Sequence, residues 1–368
     1  MPTEHAKLSP SSAHQWMACP AAPTAQAPYP DTSSPFAEEG TRAHTLAEMC
    51  FNSGRPAADF AKTKIDGVKP DAEMMENVQA YVDWVLSFKD RDDILYTETR
   101  LDLSKFITDS FGTADNIIIT DDAIHVFDLK YGRGVKVYAE NNWQGLCYAG
   151  GAYHKHVDDH QIVDIHIHIG QPRLDHFDTW VIDYEELERR LDRIKQAAAA
   201  TEDPDAPMVP GESQCRWCKA SANCPALYEL TSDATAELFD DLSEPDSLDS
   251  ERLSELLRHK KLIEGYLSDI AAEAQRRLES GDTVPGFKLV RANTNRKWGD
   301  KAEKALTKAL GDAAYERKLI AIGKAEKLLG KDEVDGYTVR PEGAVTIAPE
   351  DDKRKAIDEE IEKEFDTL

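Results

Sequence analysis

The chain has 368 residues, with 44 Lys plus Arg against 69 Asp plus Glu, a formal charge of −25 and a sequence pI near 4.8. That balance excludes a polycation that coats nucleic acid by net charge alone, while a local basic groove stays compatible with it, because a cleft focuses field independently of the total. At 41% hydrophobic and 31% charged residues the chain is globular rather than disordered, and its length suits one large core with an appendage or two domains.

The N-terminus, MPTEHAKLSPSSAHQWMACP, has no apolar signal core, and no apolar run of about 18 residues occurs. A soluble cytoplasmic protein without a membrane partner is expected. Thiols stay reduced in cytoplasm, so the six cysteines are expected as buried residues, metal ligands or catalytic groups rather than disulfides.

In chain order, Ser9-Pro10-Ser11-Ser12 predicts a helix start for Ala13–Cys19. Residues 38–51 read as a helix capped by Thr41, with Ala43, Leu46, Ala47 and Cys50 on one face. Residues 71–89 read as a second, with Met75, Val78, Val82, Val85 and Leu86 inward. The period then changes to that of strands at 94–103, 111–120 and 123–132, the last two joined by an Asp121-Asp122 turn. A helix at about 139–156, strands at 162–170 and 176–183, and a strong helix at 184–200 with Leu187, Leu191 and Ile194 on one face follow. Residues 201–211 form a Pro-rich loop, and the acidic stretch 230–250 marks a boundary. Beyond it come a long amphipathic helix (251–280), a short strand (286–292), helices at about 300–310 and 312–330, and an acidic tail. The order over about 38–200 describes a mixed α/β core.

Asp115 lies in one strand, and Asp128 and Lys130 in the next. Residues two apart on a strand share a face, and the hairpin brings Asp115 beside them. Two converging carboxylates suit a hard divalent cation, and a lysine beside it orients water or stabilises the phosphate in flight. Taken alone, Asp-x-Lys on a strand is more often a solvated ion pair. His44 is a nitrogen donor for the same cation or a surface helix histidine. Gln144 and Tyr148, four apart on a helix, share a face and can bind phosphate oxygens or steady the lysine.

Together, His44, Gly112-x-x-Asp115, Asp128-x-Lys130 and Gln144-x-x-x-Tyr148 resemble the ordered motifs of the RecB-like branch of the PD-(D/E)xK nucleases, over about residues 38–200. The resemblance implies a restriction-endonuclease-like core, a mixed central sheet flanked by helices. It further implies catalytic Asp115, Asp128, Lys130, Gln144 and Tyr148, with Mg²⁺ or Mn²⁺ held by His44, Asp115, Asp128 and the carbonyl of Leu129.

Cys215-x-x-Cys218-x5-Cys224-Pro225 is a thiol cluster that needs a fourth ligand, for which Cys19 is the candidate. One cysteine before the nuclease motifs and three after them resemble the iron–sulfur staple of AddB-type and CRISPR-associated RecB-like nucleases. That resemblance implies a structural [4Fe–4S] cluster, with Zn²⁺ as the alternative. Cys50 and Cys147 sit on apolar helix faces and read as buried. His166 and His168, with nearby His154, His156 and His160, read as strand and loop surface rather than a zinc-hydrolase site, because no H-E-x-x-H helix accompanies them.

Arg42, Arg133 and Lys136 supply local positive potential near the proposed site. Lys288, Arg291, Arg296 and Lys297 beside Trp298 read equally as a DNA-phosphate patch or an exposed turn. No helicase motif G-x-x-x-x-G-K-[ST] is present. The expectation is a nuclease domain (1–229) closed by the four cysteines and a mixed α+β C-terminal extension (230–368). Stand-alone relatives of this size imply a phage-type recombination exonuclease, acting 5′ to 3′ on linear duplex ends in a bacterial or phage-infected cell. Its expected partners are the single-stranded product, an annealing protein and further copies of itself. The alternatives are a nuclease subunit of a CRISPR-adaptation or helicase assembly, and a non-catalytic DNA-end or protein-binding module.

Overall fold

In a computed structural model the structure describes residues 6–30, 34–157, 162–240, 250–290, 302–310, 314–315, 322–330, 333–334 and 336–338. Two compact units emerge, Met1–Arg276 and Arg277–Leu368. The boundary expected at 229/230 falls inside the first unit, within the helix Pro225–Asp240.

The first unit opens with a 3₁₀ turn, Pro10–Ser12, and two short helices, α1 (Ala13–Trp16) and α2 (Ala22–Gln26). Helices α3 (Pro35–Ser53) and α4 (Ala72–Leu86) precede three strands, β1 (Ile94–Asp102), β2 (Phe111–Ile119) and β3 (Ala123–Leu129). Helix α5 (Trp143–His156) crosses to β4 (Asp164–Gln171), which returns through β5 (His176–Asp183) into α6 (Tyr184–Ala200). Helices α7 (Glu212–Cys215), α8 (Pro225–Asp240) and α9 (Ser250–Glu279) follow, the last running past the division between units. The second unit holds α10 (Ala302–Leu310) and α11 (Ile322–Leu329).

The five strands form one sheet in the order β1-β2-β3-β4-β5. Only β3 and β4 run parallel, since only they are joined by a helical crossover; the other neighbours are antiparallel. The fold is thus a mixed α/β sheet flanked by helices on both faces. One face packs Ile124, Val126, Ile165 and Ile167 against Leu146 and Ala149 of α5 and Leu187, Leu191 and Ile194 of α6. Each of those α6 side chains contributes about 1.5–3 kcal/mol by leaving water. The other face packs Ile118, Phe127 and Leu129 against Leu46 of α3 and Val78, Tyr81 and Val85 of α4. Every residue of β3 is buried, as a central strand covered on both faces requires.

Several local expectations are corrected. Ser34, not Thr41, caps α3, accepting from Ala37 N–H with Pro35 in the first turn; the helix thus starts earlier than its apolar stripe. Gly54 ends it in the left-handed region at φ 65°. On α4 the buried methionine is Met74 rather than Met75, and Leu86 is exposed at the last turn. Residues 286–290 form no strand and expose Phe287, Leu289 and Val290; 291 and 292 lie outside the described residues. Of the helix expected at 312–330, the structure describes Ile322–Leu329. The acidic tail lies outside the described residues. Among the described residues no helix is long and apolar enough to cross a membrane.

The histidines of β4 are not a surface feature. His168 is fully buried, stacked on Phe127 at 4.2 Å, and its two ring nitrogens meet His125 Nδ1 at 3.1 Å and Thr179 Oγ1 at 2.8 Å. His166 stacks on His125 at 4.2 Å. The three rings are parallel to within 27°, and a ring nitrogen of each lies within 4.8 Å of the others. The group is a hydrogen-bonded aromatic stack. His160 lies outside the described residues.

Candidate active site

The β2–β3 ladder runs from Ile119↔Ile124 to Asn116↔Phe127 and stops there. The next residues along the two strands are Asp115 and Asp128. Because the ladder ends, the N–H of Leu129 needs another acceptor, and it donates to Asp115 Oδ2 at 2.7 Å. Asp115 Oδ1 faces His44 Nδ1 of α3 at 3.2 Å. The other carboxylate, Asp128, is buried; its Oδ1 accepts from Gln144 Nε2 at 3.0 Å. Its Oδ2 forms an ion pair with Lys130 Nζ at 2.7 Å.

Helix α5 completes the array. Asn142 caps its start by accepting from Gly145 N–H. Gly145 permits a close approach to β4, because a Cβ there would meet Ile167 Cγ2 at 2.5 Å. The approach sets Gln144 over the strands: its Oε1 accepts from Lys130 Nζ at 2.7 Å, and its Nε2 donates to Tyr148 Oη at 3.2 Å as well as to Asp128. Gly112 has a similar reason. A Cβ there would lie 2.7 Å from both Pro10 Cγ and Tyr148 Cε1, so the glycine lets the N-terminal turn and the phenol close over β2.

The structure therefore brings His44, Asp115, Asp128, Leu129, Lys130, Gln144 and Tyr148 together. It adds Glu98, which the sequence reading missed. Glu98 sits between the pairs Thr97↔Asn116 and Thr99↔Ala114, opposite Asp115, and carries φ 46° inside a strand. A non-glycine residue held there costs about 1–3 kcal/mol and points to a functional constraint. Ligand atoms of His44, Glu98 and Asp115 lie within 4.8 Å of one another. Thr-Glu-Thr on an alternating strand gives no sequence signal of this.

The electrostatics are those of crowded carboxylates. Desolvation and then the Asp115 charge push Glu98 up to about 7. Burial also drives Asp128 upward against the pull of Lys130, while burial of Asp115 is outweighed by His44, whose ion pair holds that carboxyl below its usual range. Burial opposes charge on His44, yet Asp115, then Asp128 and Glu98, raise it to about 9. Desolvation and Asp128 keep the Tyr148 phenol protonated far above its usual range. Three carboxylates thus crowd around two cationic side chains, and oxygens of Glu98 and Asp115 lie with a His44 nitrogen within 4.8 Å of one another. That donor set fits a divalent cation.

The cysteines form a second group. Cys19 Sγ accepts from Val209 N–H and Cys215 Sγ from Gly211 N–H, each at 3.3 Å, and Ala21 N–H bonds Pro207 C=O. These bonds tie the N-terminal segment to the loop carrying Cys215, Cys218 and Cys224. Burial, with all three other thiols close enough to add to it, pushes the Cys218 thiol up to about 11. Cys50 and Cys147 are buried in the core.

Arg42 lines a small cavity with Glu39, Lys69 and Asp71. Arg133 pairs with Glu73, which also receives Arg173 at 3.2 Å. Lys136 is exposed on the loop after β3, and Lys288 is exposed on the irregular stretch after α9. Arg291, Arg296 and Lys297 lie outside the described residues.

The solved structure of SSO0001 is similar to this chain at 14% identity, covering 55% of this chain and 92% of that one with a TM-score of 0.27, a value too low to define a shared fold. The family model described as "Protein of unknown function (DUF2800)" matches residues 5–355, nearly the whole chain, and the protein belongs to that family.

Proposed function

We propose that the protein is a Mg²⁺- or Mn²⁺-dependent deoxyribonuclease of the RecB-like PD-(D/E)xK type. The observation that carries the reading is the convergence of Asp115, Asp128, Lys130, Gln144 and Tyr148 at the point where β2 and β3 part, with His44 and Glu98 on the open side. Asp115, Asp128, Glu98, His44 and the Leu129 carbonyl would hold the cation. Bound there, it supplies positive charge to the scissile phosphate and acidity to a water.

The chain's own groups do the rest. Lys130 holds its ammonium between Asp128 and Gln144, where it steers the attacking water and offsets negative charge on the phosphorus oxygens. Gln144 bridges Lys130, Asp128 and Tyr148, fixing the ammonium so that little reorganisation is needed at the moment of reaction. Tyr148 stays a neutral donor to phosphate oxygen. The four cysteines would hold a structural [4Fe–4S] cluster, with Zn²⁺ as the alternative; this assignment rests on the family resemblance. The direction of the reaction, 5′ to 3′ from a linear duplex end, and an annealing protein as recipient of the product rest on the family resemblance.

The test is hydrolysis of linear duplex DNA in Mg²⁺ or Mn²⁺ by wild type beside Lys130→Ala and Glu98→Gln. Loss of cleavage in the first and a higher metal concentration needed for cleavage in the second support the site. Equal cleavage by all three contradicts it.

A further inference from the structure

The N-terminal turn that closes over Tyr148 has a second side. There a cavity of about 770 Å³ lies between residues 6–34 and the cysteine loop. Lys7, Ser9, Ser11 and His14 line one wall, and Trp217 and Lys219 the other. Acidic residues make up 69 of the 368, yet none of the fifteen lining residues is acidic and two are lysines. Among the described residues the lining thus carries positive charge and no carboxylate, which suits an anion.

Its chemistry is more specific than charge. Trp217 is 66% exposed, with Arg216 5.6 Å from its ring. It follows two residues after Cys215 and precedes Cys218, so its backbone is fixed while its ring faces the cavity. A large aromatic held open beside cations is a stacking platform rather than a core residue. Ser9 Oγ lies 3.1 Å from Ser11 Oγ and 3.0 Å from Ser12 Oγ, a knot of hydroxyls of the kind that contacts phosphate. The cavity shares a wall with the candidate active site: Pro10 and Tyr148 both lie against Gly112, and His14 lies close enough to Lys130 to feel its charge. His14 Nε2 is buried with no hydrogen-bond partner. The volume suits a small ligand or a nucleotide or two.

We propose that this cavity seats a single DNA strand, with phosphates on Lys7, Lys219 and the serine hydroxyls and a base stacked on Trp217, and leads it past His14 towards Lys130. The destination of the strand rests on the nuclease reading; its binding does not.

The test is metal-free binding of a 5′-phosphorylated oligothymidylate of about 12 nucleotides to the full chain, followed by fluorescence anisotropy across a salt series. Wild type is expected to bind. Lys7→Gln with Lys219→Gln should reduce the slope of log K against log[salt] by about 1.4, about 0.7 for each lost phosphate contact. Trp217→Ala should weaken binding roughly tenfold, and Trp217→Phe should restore most of it. Melting curves matching wild type exclude a folding effect, and Trp217, being exposed, leaves no core cavity when truncated. Unchanged slope and unchanged affinity in these variants overturn the proposal, as does tighter binding of oligouridylate than of oligothymidylate. The two readings fail separately. If wild type cleaves no DNA but the cavity variants lose oligonucleotide binding, the nuclease reading falls and the strand seat stands. If wild type cleaves and the cavity variants bind and cleave equally well, the seat falls and the nuclease stands.

Discussion

Replacing Gly112 by alanine adds one carbon at a position where two side chains already meet. The new Cβ would sit 2.7 Å from Pro10 Cγ and from Tyr148 Cε1. Neither is the free end of a flexible chain. Pro10 is held in a 3₁₀ turn anchored by Trp16 Nε1–H to Ser9 C=O at 3.2 Å and by Ser110 Oγ–H to Leu8 C=O at 2.8 Å. Tyr148 is buried and takes a hydrogen bond from Gln144. Overpacking of this kind costs about 1–3 kcal/mol. At about 2–4 °C per kcal/mol for a unit of this size, 2 kcal/mol lowers Tm by about 4–8 °C. The internal control is Gly132→Ala, where a Cβ meets nothing within 4 Å, and whose Tm should stay within about 1 °C of wild type. Thermal unfolding followed by circular dichroism reads both. A Gly112→Ala protein that melts with wild type refutes the packing account of this glycine.

Further expectations follow from other parts of the molecule. Burial holds His168 neutral down to about 2 and His125 down to about 4, so below the unfolded value of 6.5 the unfolded chain takes up protons that the folded one refuses. Stability should therefore fall as pH drops from 6.5, by up to about 1.4 kcal/mol per pH unit for each histidine, and His168→Gln should flatten the profile in urea titrations. A pH-independent midpoint between 7 and 5 would contradict the buried stack. Conversely, His44 is raised to about 9, so its pairing with Asp115 stabilises the metal-free protein below 6.5 and is lost as pH rises through 9; His44→Ala should abolish that alkaline loss. Cys218→Ala should lower Tm and release bound metal while leaving the Lys130 array intact; protein purified without oxygen should be brown, and colourless zinc-loaded protein would sink the iron–sulfur assignment.

The sheet was largely legible in the sequence because its strands alternate or run continuously apolar between turn residues. The ends of α3 were not: its apolar stripe begins at Ala43, while the cap that sets its start is Ser34, nine residues upstream. The β4 histidines misled because alternation implies one wet face, whereas a strand between two others with helices on both sides has none. In the candidate site, Asp128, Lys130, Gln144 and Tyr148 were weak signals singly and were assigned by the resemblance of their ordered motifs to the RecB-like nucleases. Glu98 was invisible, because its importance lies in a backbone kink opposite Asp115 and not in any residue pattern. Spacing grouped Cys215, Cys218 and Cys224, but that Cys19 meets them depends on how residues 6–30 lie along the first unit.

The central claim is tested most directly on a linear duplex labelled at one 5′ end, incubated with Mg²⁺ or Mn²⁺ and either wild type or Lys130→Ala. The account predicts progressive loss of DNA with wild type alone, the early release of label reporting attack from the 5′ end. Intact DNA with wild type in both metals, or equal degradation by Lys130→Ala, contradicts it.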